Sequence, residues 1–180
     1  MHIARPSEEE YAPYALTYIN AAAADITAGG HADLLALLRA QPRAWHTLLD
    51  SAPPSLAGFA YAPGKWTLAE SIVHVSDTER VFAYRLMRFA RGDRTALPPF
   101  EQDEWVPQSR ASRRTLVDVL DELDAVRGAT VALVSSLDDE AIAQIGVASG
   151  RDVSARAMIW MIAGHAAHHL RLTKEKYVGA

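Results

Sequence analysis

Apolar residues recur along this chain at the three-to-four-residue spacing of helices, and no sustained two-residue alternation marks a strand. The first 30 residues carry Tyr11, Tyr14 and Tyr18, then the alanines at 21–24, and stop at Gly29-Gly30. They read as an ordered arm or short helix that packs on the main body. From His31 a helical face follows through Leu34, Leu37, Leu38, Trp45 and Leu49. Pro42 is expected to break or kink that helix, and Pro53-Pro54 to end it. The next start is the sharpest in the sequence. Thr67-Leu68-Ala69-Glu70 has the capping-box pattern, in which hydroxyl and carboxylate satisfy each other's backbone amides. That helix is expected to reach about Ala90, with Leu68, Ile72, Val75, Phe82, Leu86 and Phe89 as its stripe and Gly92 as its stop. A third helix is expected over 112–136 and a last one over 154–177. A Pro-rich crossing, 92–112, joins the second to the third, and 146–150 has room for a short strand or turn.

Four long helices predict an all-α four-helix bundle over residues 31–180, with residues 1–30 as the arm. The long crossing leaves a simple up-down-up-down order open. No internal repeat and no linker divides the chain. At 180 residues it has enough surface to bury for one core.

Composition narrows the function. The absence of cysteine excludes disulfides, thiolate zinc sites, iron–sulfur clusters and a cysteine nucleophile. A net charge of −4 with no basic stripe argues against nucleic acid as a partner. No apolar run approaches a membrane span; residues 157–163 cover about a third of one, so no membrane partner is expected. The start lacks a charged-then-apolar signal pattern, which predicts a cytoplasmic protein.

The seven histidines are the suggestive feature of the composition. On the last helix Met158, Ile162, His165, His169 and Leu172 form the inward stripe, so two histidines stand where the pattern calls for leucine. Four residues apart, their imidazoles share a face one turn apart, a spacing suited to one metal ion. Two core histidines bonded to backbone or carboxylates fit the same pattern. His74, at one edge of the second helix's apolar arc, is the best third ligand, and a half-exposed histidine fits it equally. Asp77 and Glu79 read as outer acceptors or surface charges. Asp77, Thr78 and Arg85, within two or three turns of His74, are candidate lining of a substrate cleft. His168 lies about 100° around the helix from His169, placed to orient a ligand or to face solvent. His2, His31 and His46 lack such surroundings.

With these residues assembled, the chain resembles the DinB/YfiT-like superfamily. Lys65-Trp66-Thr67-Leu68-Ala69-Glu70 with His74 is similar to its second-helix motif, and Gly164-His165-Ala166-Ala167-His168-His169 to its HxxHH motif. Pro99-Phe100-Glu101-Gln102-Asp103-Glu104-Trp105 is similar to its crossing segment. The resemblance spans about 34–177 and implies a down-up-up-down four-helix bundle with His74, His165 and His169 as a metal triad. Where many relatives carry glutamate, this chain has Ala166. Glu70 has two readings, a contact to the site's outer shell or substrate and the helix cap, and the cap suffices. Trp66 is expected to pack beneath the helix start.

Three neutral imidazoles leave a divalent ion's charge uncompensated, so it would act as a strong Lewis acid that activates bound water or thiol. Nitrogen donors suit zinc, nickel, iron, copper or manganese. His165 is followed by alanine, so the HExxH base of a zincin peptidase is missing. The resemblance implies transfer of a low-molecular-weight thiol, of the bacillithiol or mycothiol type, to electrophiles in detoxification or stress. A hydrolase using metal-bound hydroxide and a non-enzymatic metal-binding stress protein stand as alternatives. Relatives that form dimers imply a homodimer.

Overall fold

The computed structural model describes residues 2–179. Two short 3-10 turns lead into α1 (Leu16–Ala28), then α2 (Leu34–Leu49) and α3 (Leu68–Ala90). A short α4 (Gln102–Gln108) lies in the crossing, followed by α5 (Leu116–Ser135) and a one-turn α6 (Asp139–Ala143). A hairpin of β1 (Ile145–Ala148) and β2 (Arg151–Ser154) leads into α7 (Ala155–Leu172), which closes in a π-helical turn, Thr173–Val178.

Each long bundle helix starts at a side-chain cap. Asp33, Thr67, Thr115 and Ser154 each accept a hydrogen bond from the backbone amide three residues on. The Thr67/Glu70 capping box forms in full, with the Thr67 amide donating to Glu70 Oε2 at 2.8 Å. Glu70 is therefore the cap.

Pro42 does not break α2, which continues through it to Leu49. A proline removes the amide that would bond the carbonyl four residues back, here Leu38. That carbonyl instead accepts from Arg127 Nη1 of α5 at 3.0 Å. A tertiary donor thus replaces the missing helical one.

Side-chain pairs fix the helix directions. Across α2 and α5, Arg39 meets Ser135, Gln41 meets Arg127 and His46 meets Asp124, so these helices are antiparallel. Ser71 opposite His169 and His74 opposite His165 make α3 and α7 antiparallel. The amino-terminal parts of α3 and α5 share one apolar cluster (Leu68, Ile72, Val119, Leu123), and their later parts share another (Phe82, Leu86, Val134). Those two run parallel, and the order is down-up-up-down. Two parallel neighbours need a connection as long as the bundle, which explains the crossing.

Between the two apolar clusters lies a polar layer of Gln41, His74, Glu79, Arg127 and His165, all buried. The crossing is pinned to the hairpin: the Leu97 amide donates to Val147 O at 2.9 Å, and the Ser149 amide to Leu97 O at 3.0 Å. The hairpin is a minor antiparallel addition, turned by Ser149 and Gly150 at positive φ.

The amino-terminal segment does more than lie along a surface. α1 packs on the outer side of α7 at Gly164, where an added Cβ would lie 1.8 Å from Tyr18 O. With α1 on one side and the bundle on the other, α7 is buried on nearly every face from Ala155 to Ala167. No helix is long and apolar enough to cross a membrane among the described residues.

Candidate metal centre

α3 and α7, antiparallel at mid-bundle, bring His74, His165 and His169 together, with one ring nitrogen from each within 4.8 Å of the others. All three are buried, between 4% and 7% exposed. The heptad-like spacing on α7 stacks His165 and His169, and the α3 register sets His74 opposite both, with ring centroids 5.0 Å from each. His74, expected at the edge of its helix's apolar arc, is enclosed because Trp66 covers it at 4.8 Å.

Hydroxyl groups set the ring orientations. Ser71 Oγ lies 3.4 Å from His169 Nδ1, and Thr78 Oγ1 lies 3.4 Å from His74 Nδ1. These contacts engage the outer ring nitrogens and leave Nε2 for the centre. There His74 Nε2 and His165 Nε2 are 3.1 Å apart. At a metal–nitrogen bond of about 2.1 Å, that separation subtends roughly 95° at a shared ion, within the range of common coordination.

Electrostatics point the same way. Burial pushes His74 down to about 4, against an opposing pull from the Asp103 carboxylate. It pushes His169 down to about 3, aided by His74 and His168. His165, enclosed and beside the other rings, falls well below its ordinary value. At neutral pH the three rings are uncharged, which is the protonation state metal binding requires. The donor set fits a divalent ion.

A cleft of about 620 Å³ opens beside the centre, reaching Ser71 and His169. Its walls carry Tyr61, Lys65, Trp66, Asp103 and Tyr177. Trp66, expected beneath the helix start, is cleft lining. Asp103, in the crossing segment and without a periodic pattern to mark it, is brought to the cleft by α4.

The remaining candidates separate. Thr78 is beside His74 as described. His168 is half-buried, edge-on to Tyr18 at 6.1 Å and to His169 at 5.2 Å. Asp77 does not line the cleft; its carboxylate binds Arg80 at 3.0 Å. Arg85 is likewise committed elsewhere, donating to Pro98 O at 2.7 Å and Ser149 Oγ at 3.2 Å, where it holds the crossing against the hairpin. Glu79 is neither an outer acceptor of the triad nor a surface charge. It pairs with Arg127 through two bonds of 2.7 and 2.8 Å, both side chains 4% exposed. His46 bonds Asp124 at 2.9 Å near the surface, and His2 and His31 stand apart from the centre.

Among solved structures, YfiT from Bacillus subtilis, a probable metal-dependent hydrolase with an unusual four-helix bundle topology, superposes with a TM-score of 0.70. That match covers 96% of this chain and 93% of YfiT at 15% identity. A mycothiol-dependent maleylpyruvate isomerase superposes with a TM-score of 0.61 at 18% identity. It covers 80% of this chain, which spans 59% of the isomerase. At such identities the likeness is one of fold. No curated protein matches the sequence significantly. The sequence profile of the DinB superfamily matches residues 37–172, a span that includes all three histidines. With that match over most of its length and a bundle that gathers His74, His165 and His169 at its waist, the chain belongs to the DinB superfamily.

Proposed function

We propose that this protein is a divalent-metal-dependent transferase that adds a low-molecular-weight thiol to electrophilic substrates, in a cytoplasmic detoxification or stress role. The observation that carries the reading is the pairing of three uncharged, buried imidazoles with an adjoining cleft large enough for two small reactants. A divalent ion held by these rings supplies Lewis acidity that favours the thiolate form of a bound thiol.

The chain's own groups do the rest. Ser71 and Thr78 hold two rings in orientation. Lys65 offers a cation to an acidic group on the thiol, and Trp66, Tyr61 and Tyr177 offer aromatic surface to the electrophile. The protein contributes no sulfur of its own, which fits a cosubstrate that does. Zinc, nickel, iron and manganese all suit the donor set.

A second reading, hydrolysis, is favoured by one observation. Asp103 is a carboxylate on the cleft wall, close enough to act on His74, and it could accept a proton from a nucleophilic water. The YfiT likeness supports the same alternative.

The test starts from protein purified without an affinity tag. Metal analysis should find about one divalent ion per chain in the wild type and none in His165→Ala. Thiol conjugation to an epoxide or chlorinated electrophile should then depend on the triad; equal rates in both proteins would overturn the transferase. Ester or amide turnover without thiol, reduced in Asp103→Asn, would establish the hydrolase. Bound metal with neither activity would make this a metal-binding protein.

A further inference from the structure

On α7 the metal-facing and outward-facing residues lie on opposite sides. Ala167, Leu170 and Arg171 are roughly 100–160° around the helix from His165 and His169, and Lys174 follows in the π-helical turn. They border a second cleft, of about 550 Å³, between α1, α2 and α7. Its floor is apolar because the facing positions are small: Ala40, Ala44 and Ala167, with Leu48 and Leu170 beside them.

This cleft continues into a neighbouring one of about 330 Å³ with which it shares Asp25, Ala40, Ala44 and Leu170. Together they form a trough along α2 from Leu37 to Leu48, about 16 Å at the helical rise.

The charge is asymmetric. Arg43, Arg171 and Lys174 rim one cleft, against the single carboxylate of Asp25. Asp25 is already bonded to Arg171 at 3.1 Å. Arg43 and Lys174 have no carboxylate within ion-pair distance among the described residues. Cations thus line the larger of the two clefts and are missing from the smaller, in a protein whose net charge is −4.

We propose that this trough binds a medium-chain carboxylate, its unbranched chain along the alanine floor and its head group between Arg43 and Lys174. The complementarity is specific in kind. An extended chain suits a trough floored by Ala40 and Ala44, and a carboxylate supplies the acceptor that the two cations lack. Because the trough backs onto the helix that carries two of the three histidines, its occupant would press on α7 from behind. The binding itself does not depend on the activity at the triad.

Isothermal titration of the metal-loaded, full-length protein with decanoate tests this, with decyltrimethylammonium and acetate as controls. Decanoate should bind saturably at one site, the cationic amphiphile should not compete for it, and acetate should not bind. Arg43→Gln/Lys174→Gln, two exposed positions, should weaken decanoate about tenfold or more, the loss of charge-assisted hydrogen bonds. Ala44→Phe, which fills the floor, should abolish it. Absence of saturable binding, equal affinity in the variants, or equal affinity for the cation would each overturn the proposal. So would sedimentation showing that the wild type is a dimer and Ala44→Phe a monomer, since a second copy would then own the trough.

Discussion

Two polar assemblies share the waist of this bundle, and they are finished differently. In one, Arg127 is enclosed by Glu79, the Leu38 carbonyl and Gln41 Oε1, while Gln41 Nε2 passes the chain of bonds on to Ala163 O at 2.8 Å. It ties α2, α3, α5 and α7 together and leaves no strong donor without a partner. In the other, one ring nitrogen from each of three histidines lies within 4.8 Å of the others, beside an open cleft. The first holds paired opposite charges, and the second holds neutral lone pairs. A buried polar network completed from within stabilises one arrangement of helices, whereas one left incomplete is a place for a ligand.

The contrast is broken most severely at the ion pair. Glu79→Gln leaves Arg127's charge buried with half its partnership gone, so stability should fall by about 3–5 kcal/mol, read from urea denaturation in chelator. Glu79→Met/Arg127→Met should recover part of that loss, the remainder being the donor that Leu38 O and Gln41 Oε1 then lack. A double variant as unstable as the single one would mean the network is not a closed unit.

The triad should behave in the opposite sense. His165→Leu should alter metal-free stability little, but it should remove the gain that metal gives. For the wild type that gain is about 4 kcal/mol at a thousandfold excess over Kd, measured as a shift in the urea midpoint. An unchanged metal response in His165→Leu would detach the centre from these histidines.

A smaller effect separates ring orientation from ring identity. Ser71→Ala and Thr78→Ala should each weaken metal affinity about 10- to 100-fold while the fold stays intact, read by competition with a chromophoric chelator. Affinity equal to the wild type would assign the hydroxyls to packing alone.

A last contrast is in pH. The triad's histidines titrate lower in the folded protein than in the unfolded chain, so between 6.5 and about 3 the unfolded chain binds more protons. Metal-free stability should therefore fall as pH falls through that window, by up to about 1.4 kcal/mol per pH unit for each histidine. It should be level above 6.5 as far as these groups are concerned. His165→Leu/His169→Leu should flatten the slope, and an unaltered slope would trace it to other groups.

Much of this was legible in advance, and the particular failures share a cause. The capping box at Thr67, the four bundle helices and the histidine pair on α7 are local signals, carried within one or two helical turns. Pro42 misled because the rescue of Leu38's carbonyl comes from Arg127, 89 residues away along the chain. Glu79 and Arg127 each look like surface charges on their own helices, and only their meeting makes burial tolerable. Arg85 sits on the correct helix for the site but is claimed by the crossing and the hairpin. The role of α1 had a signal that could have been read: residues 155–167 are apolar on nearly every face, and a helix apolar all round needs cover on its outer side as well.

The sequence by itself determined where helices start, which face each presents and that two imidazoles share one face of α7, because these depend on backbone periodicity and nearby hydrogen bonds. The tertiary structure alone decided that His74 faces the pair, that Trp66 and Asp103 wall the cleft, and that Glu79 serves the fold. Those outcomes rest on the parallel placement of α3 and α5 and on partners distant in sequence. Such contacts are set by how whole faces pack, and no single stretch of the chain contains them.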